Sequence, residues 1–252
     1  MNPDAPFVWH TYDVRAVLPE GWQDDLIAMA QREEVQTKPL GGRSVTSRED
    51  SDVEGLEVST VGGELLRGLA PWLFELYEHQ FRELAERVAG EPVVVATEDN
   101  SAVNLSVQRG SMRGKAHVDL NPVEGLLYVT SHPEGSGGEL VVAQREQARG
   151  VDGIDESGAL IYPVAGYLVL FDARRHPHYV KRLTDEEDGI RVVVAMDFYT
   201  QSCPESSCPP DLDAQVFAAS DPPAASGPAA YVEHVSGEPS EARARMGERR
   251  LA

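Results

Sequence analysis

The chain is predicted to be an all-β core with flanking helices, on three observations. Between residues 91 and 200, short apolar segments recur at close spacing, separated by Gly, Pro, Asn or Asp. Ahead of them stand two stretches with helical periodicity, and behind them the composition turns to Pro, Ala and Ser. The expected division is therefore a helical support over 1–90, a β core over 91–200 and a C-terminal tail over 201–252.

The first helix is expected in "LPEGWQDDLIAMAQRE", where Trp22, Leu26, Ile27 and Ala30 recur at helical spacing after a Pro and an acidic start. The second, "GGELLRGLAPWLFELYEHQFRELAERVAG", has a stronger stripe of Leu69, Trp72, Leu73, Leu76, Tyr77, Phe81, Leu84 and Val88. Pro71 suits its first turn and Gly90 its end. The strand segments follow in order as "PVVVAT", "AVNLSVQ", "KAHVDL", "GLLYVT", "GELVVA", "ALIYPV", "GYLVLFD", "HYVKRL" and "RVVVAMDFYT". So many short strands argue for a sandwich or barrel, with the helices packed on one face. The tail, with "ASDPPAASGPAA" and "SEARARMGERRLA", cannot build a core of its own.

Composition narrows the function. The 42 acidic and 22 basic side chains give a formal charge of -20, which disfavours nucleic acid or an anionic membrane as a partner. The N-terminus has no basic segment followed by an apolar run, and no apolar stretch is of membrane-spanning length, so a cytoplasmic location is expected. In that compartment Cys203 and Cys208 are expected to be reduced thiols.

In "GKAHVDLNP", His117 and Asp119 stand two apart, so on a strand their side chains point the same way while Val118 points oppositely. That geometry suits two ligands of one metal ion. "FDARRHPHYVKRL" offers His176 and His178 as the third. His178 opens a strand with Val180 on its own face, whereas His176 lies in the turn before Pro177, so His178 is preferred. Two imidazoles and a carboxylate leave three positions open, as in non-haem Fe(II) oxygenases, although zinc hydrolysis would use the same ligands. A 2-oxoglutarate site would separate the two, because its distal carboxylate needs a buried cation. Arg191 fits, with Ile190, Val192, Val193 and Val194 beside it, and antiparallel pairing of its strand with the His178 strand would bring it near the metal.

The pieces "HVD", "LLYVTSHPEGSGGELVV", "GYLVLFDARRHPHYV" and "RVVVAMDFY", in this order, resemble the catalytic core of the prolyl 4-hydroxylase-like branch of the Fe(II)/2-oxoglutarate dioxygenases. The resemblance runs from Val103 to Tyr199 and implies a double-stranded β-helix, a jelly roll of cupin-like form. It implies His117, Asp119 and His178 as iron ligands, with Arg191 and Tyr128 binding 2-oxoglutarate. The cosubstrates would be 2-oxoglutarate and O2, with ascorbate as a candidate reductant, and the outcome hydroxylation of an unactivated carbon with release of succinate. Related halogenases lack the carboxylate ligand, so Asp119 argues for hydroxylation over chlorination, while desaturation and ring formation stay open. The insertion "TDEEDG" lengthens the connection from His178 to Arg191 beyond the family's usual span, with Arg182 as the fallback cation.

For the substrate, alternation places Asp197 on the face of Arg191, where it can meet an ammonium group, and Arg109, Arg113 and Lys115 precede His117 as candidates for a carboxylate. Together they suggest a small zwitterion such as a free or carrier-linked amino acid. The alternatives are a peptidyl-prolyl hydroxylase acting on a protein and a cupin-like barrel that binds metal without oxidation.

Overall fold

Two antiparallel sheets form the computed structural model, which describes residues 9–32, 35–39, 46–50, 57–110, 113–185 and 189–208. The described residues all fall in the compact unit Met1–Ala218. The larger sheet runs in the order β1 (Trp9–Asp13), β9 (Tyr167–Phe171), β6 (Val123–Tyr128), β11 (Ile190–Thr200), β5 (Val103–Arg109), β3 (Glu57–Val61), β2 (Gln36–Pro39), and β4 (Val93–Val95) pairs with the far end of β11. The smaller sheet runs β10 (His178–Val180), β7 (Leu140–Ala143), β8 (Gly158–Ile161).

The central strand β11 explains why its sequence is almost continuously apolar: both of its faces are covered. Val192, Val194, Met196 and Phe198 join the main core, while Val193 and Ala195 face the interior between the sheets with Leu126, Tyr128, Val169 and Phe171. The helices α1 (Trp22–Ala30), α2 (Gly63–Leu69), α3 (Pro71–Leu76) and α4 (Arg82–Ala89) cover the outer face of the larger sheet, through Leu26, Leu66, Leu73, Phe74 and Ala85. Pro71 opens α3, and Gly90 closes α4 with a φ of 71°. Leu69 departs from the expected stripe and is 40% exposed, because α2 ends there and α3 restarts in a different phase.

The segment before residue 90 also contributes β1, β2 and β3, none of which was expected. WHTYD in β1 is mostly exposed and has no alternation to reveal it; it is held by its backbone register with β9, Trp9 opposite Phe171 to Asp13 opposite Tyr167. "KAHVDL" departs in the other direction. It is reduced to an isolated bridge at His117, because its amides turn to different neighbours: Gly114 N–H donates to Val180 O, Val118 N–H to Thr46 O and Asp119 N–H to Ala173 O. Residues 201–208 fold back on the core, where Ser202 donates to Glu91 and Thr97 N–H donates to Glu205. The rest of the expected tail lies outside the described residues.

Between α3 and α4 the helix widens into a π turn, Tyr77–Phe81. Its Tyr77 hydroxyl donates to Asp197 O at 2.6 Å and accepts from Ala96 N–H at 2.8 Å. Tyr77→Phe would leave a carbonyl and a buried amide unpaired, so it is expected to lower the unfolding free energy by about 1–3 kcal/mol in urea titrations. A change below about 0.5 kcal/mol would place Tyr77 among ordinary surface substitutions.

Candidate metal centre

His117 and His178 are direct cross-strand partners. His117 N–H donates to His178 O at 3.0 Å and His178 N–H to His117 O at 2.8 Å, so both side chains emerge on one face. Their ring centroids are 4.3 Å apart. Asp119 stands between them: Oδ1 is 3.2 Å from His117 Nε2, and Oδ2 is 3.2 Å from His178 Nε2. These donor atoms lie within 4.8 Å of one another, and no other group of three such side chains among the described residues does this.

Each imidazole is oriented from behind. His117 Nδ1 meets Lys115 O, and His178 Nδ1 meets His176 O, so each ring donates through Nδ1 to a carbonyl two residues back and turns Nε2 to the centre. Phe171 packs edge-on against His178 at 4.8 Å. Burial would raise the carboxyl pKa of Asp119, but His178 and then His117 hold it well below the ordinary range. Burial works against the His117 imidazolium, and Asp119 outweighs it, raising that pKa. A carboxylate and two Nε2 atoms crowded in this way have the chemistry of a divalent-cation site, in which the metal takes the place of the protons.

His176 sits elsewhere. It is 2% exposed, its Nδ1 meets Ala143 O at 2.8 Å, and its Nε2 has no partner among the described residues.

Arg191 is 2% exposed and Tyr128 fully buried, both on strands whose inner faces line the space between the sheets. The route is not the expected one. β11 pairs with β4, β5 and β6 in the larger sheet, while β10 pairs with β7 in the smaller. Arg191 therefore lies across the barrel from the His178 strand, because the chain changes sheets between them. Arg182 is exposed. The Arg191 guanidinium carbon is 5.5 Å from the Tyr128 ring, and Nε donates to Gly138 O at 2.9 Å. Gly138 has a φ of 80°, and a Cβ there would meet the Arg191 Cδ at 3.3 Å, so the glycine allows this approach. Arg191 Nη2 and the Tyr128 hydroxyl are buried without hydrogen-bond partners among the described residues. Burial pushes the arginine pKa down and the tyrosine pKa up, each opposed by the other group. A pair of unsatisfied buried donors fits a carboxylate.

The other expected residues separate. Asp197 is half-buried, in register with Glu124 on β6. Glu124 is 7% exposed, accepts from Asn121 at 2.9 Å and stands opposite Asp197 in the register of β6 and β11. Burial first, then Asp197 and Asp119, push its carboxyl well above the usual range. Glu124 gave no sequence signal of this, sitting in "NPVEGLLY" as an acidic turn residue would. Arg113 is engaged with Glu49, at 2.8 and 3.1 Å, and Arg109 donates to Ala30 O at the C-terminal end of α1. Lys115 reaches the centre through its carbonyl, as the acceptor for His117.

Two antiparallel sheets between which the chain crosses, with helices on the outer face of the larger one, make this a double-stranded β-helix. No protein-family model matches the chain, and no curated protein sequence does. Solved structures do. The chain is similar to a Trichoplax adhaerens prolyl hydroxylase in complex with a hypoxia inducible factor peptide fragment, at TM-score 0.55 and 15% identity over 80% of this chain and 87% of that one. It is similar to the non-heme alpha ketoglutarate dependent epimerase SnoN from nogalamycin biosynthesis, at TM-score 0.53 and 17% identity over 77% and 78%. HygX from Streptomyces hygroscopicus, with nickel and 2-oxoglutarate bound, matches at TM-score 0.53 and 11% identity over 78% and 84%. Among the described residues, no helix is long and apolar enough to cross a membrane.

Proposed function

We propose that the protein is an Fe(II)- and 2-oxoglutarate-dependent oxygenase that hydroxylates an unactivated carbon of a small amine-bearing molecule, such as a free or carrier-linked amino acid. The observation that carries this reading is the pairing of a His117, Asp119, His178 cluster with a buried Arg191–Tyr128 pair whose donors are unsatisfied, on one barrel. Similar folds support it, since HygX is described with nickel and 2-oxoglutarate, and SnoN with Fe3+, alpha ketoglutarate and nogalamycin RO.

On this reading His117, Asp119 and His178 hold the metal on one side and leave the other open. Bound Fe(II), with 2-oxoglutarate and O2, supplies the oxidising power for C–H hydroxylation, and succinate and carbon dioxide are the coproducts. Arg191 and Tyr128 anchor the distal carboxylate, and the apolar walls Leu126, Val169 and Phe171 keep water from competing with them. Asp197, next to Glu124, offers a substrate ammonium a carboxylate with a protonatable neighbour, which favours a cation over a second anion.

The test is succinate formation from 2-oxoglutarate with Fe(II) and O2, across amino acids, carrier-linked aminoacyl groups and proline-containing peptides. Stimulation by small amines is expected. Asp197→Asn should raise the substrate KM about tenfold or more, equivalent to about 1.4 kcal/mol, with iron and 2-oxoglutarate affinities unchanged. Peptide hydroxylation, with Asp197→Asn behaving as wild type, would replace the small-molecule reading by a peptidyl-prolyl hydroxylase. No succinate under any substrate would leave a metal-binding cupin-like protein.

A further inference from the structure

The segment that carries His117 and Asp119 is not secured by a regular ladder, so something else must fix it. Residues 46–50 lie along its outer edge: Ser47 is bridged to His117, and Arg48 N–H donates to Ala116 O at 2.8 Å. Within this run is Glu49, whose side chain is 7% exposed. Its Oε1 accepts Ala116 N–H at 2.7 Å, and its two oxygens accept the two terminal nitrogens of Arg113 at 2.8 and 3.1 Å. Arg113 also donates to Gly114 O at 2.9 Å.

The N–H of Ala116 and the C=O of Lys115 belong to one peptide unit. In a trans peptide they point in opposite directions, so Glu49 grips one side of that unit while His117 Nδ1 grips the other. The result is a continuous chain: the Glu49 carboxylate, the Lys115–Ala116 peptide, the His117 imidazole, and the Nε2 that faces Asp119. Hydrogen bonds in series polarise one another, so a carboxylate at one end makes the Lys115 carbonyl a stronger acceptor and His117 Nε2 a stronger donor of its lone pair. Burial alone would raise the Glu49 pKa, but Arg113 and the Ala116 amide outweigh it and keep the carboxylate charged.

We propose that Glu49 is a positioning residue for the metal centre, acting through the Lys115–Ala116 peptide to orient His117 and strengthen it as a ligand. This rests on the metal reading above.

The test is the affinity of the metal-free protein for Co(II), measured by competition with a chromophoric chelator, beside thermal melting. Glu49→Ala should weaken Co(II) binding by about 10- to 100-fold in protein that still melts cooperatively. Glu49→Gln, which keeps an acceptor for the Ala116 N–H but no charge, should fall between it and wild type. In the Zn(II)-loaded protein, the His117 Nδ1–H proton resonance should move upfield in Glu49→Gln. If Glu49→Ala does not fold, Glu49→Gln decides, and Co(II) affinity and Nδ1–H shift equal to wild type overturn the proposal. A lower melting temperature with unchanged Co(II) affinity also overturns it, leaving Glu49 a stabilising contact. Wild-type protein that binds no stoichiometric Co(II) would instead fail the metal reading itself, and the proposal with it.

Discussion

His178→Ala is expected to abolish stoichiometric Fe(II) binding, whereas His176→Ala should retain most of it. Both residues are buried imidazoles two apart, and both donate through Nδ1 to a backbone carbonyl, so composition and burial do not separate them. The direction of Nε2 does. His178 Nε2 stands 3.2 Å from Asp119, while His176 Nε2 meets no polar partner among the described residues. Removing His178 deletes one of three donors and leaves Asp119 with a single imidazole, so the loss should exceed the roughly 10- to 100-fold typical of an outer partner. Removing His176 costs its bond to Ala143 O and some packing, about 1–3 kcal/mol of stability, which should appear in the melting temperature and not in metal binding. Anaerobic calorimetry with Fe(II) on the two variants checks this. Equal losses would sink the assignment of His178.

His178 could be preferred in the sequence because it opens an apolar strand segment, and local alternation survives whatever the rest of the chain does. The same holds for Arg191, whose apolar neighbours Ile190, Val192, Val193 and Val194 announced a buried strand, whereas Tyr128 in "GLLYVT" was singled out by the family resemblance alone. Alternation says nothing of which strands become neighbours. Pairing β11 with the His178 strand was therefore a natural expectation, and the chain instead places Arg191 and His178 in different sheets. Glu49 and Glu124 were illegible for a related reason. Each looks like an ordinary acidic residue until contacts made 67 residues away, in the case of Glu49 and Ala116, or across a sheet, in the case of Glu124 and Asp197, bury it. The edge strands β1 and β2 were hidden because backbone pairing at a sheet edge asks for little apolar patterning, and β3, paired between β2 and β5, is a short strand carrying Ser59 and Thr60.

The 2-oxoglutarate requirement should rise most in Arg191→Ala, less in Tyr128→Phe and not at all in Arg182→Ala. A guanidinium 2% exposed, with Nη2 unsatisfied among the described residues, has already been taken from water. Binding of a carboxylate then gains the charged hydrogen bonds without a new desolvation of the arginine. Removing one partner of a buried charged pair costs about 3–5 kcal/mol, which corresponds to roughly 150- to 5,000-fold in affinity. Tyr128→Phe deletes one hydrogen bond to a charged group, about 1.5–3 kcal/mol, or roughly 10- to 150-fold. Arg182 is solvated, so its removal changes neither term. Titration of 2-oxoglutarate into metal-loaded protein under argon reads all three without turnover. The effect on Arg191 should appear with iron affinity intact, since its guanidinium contacts Gly138 O and the Tyr128 ring, neither of which belongs to the three metal-facing side chains. A large effect at Arg182 and a small one at Arg191 would mean that the carboxylate enters from the opposite end of the barrel, and that the buried arginine serves the fold alone.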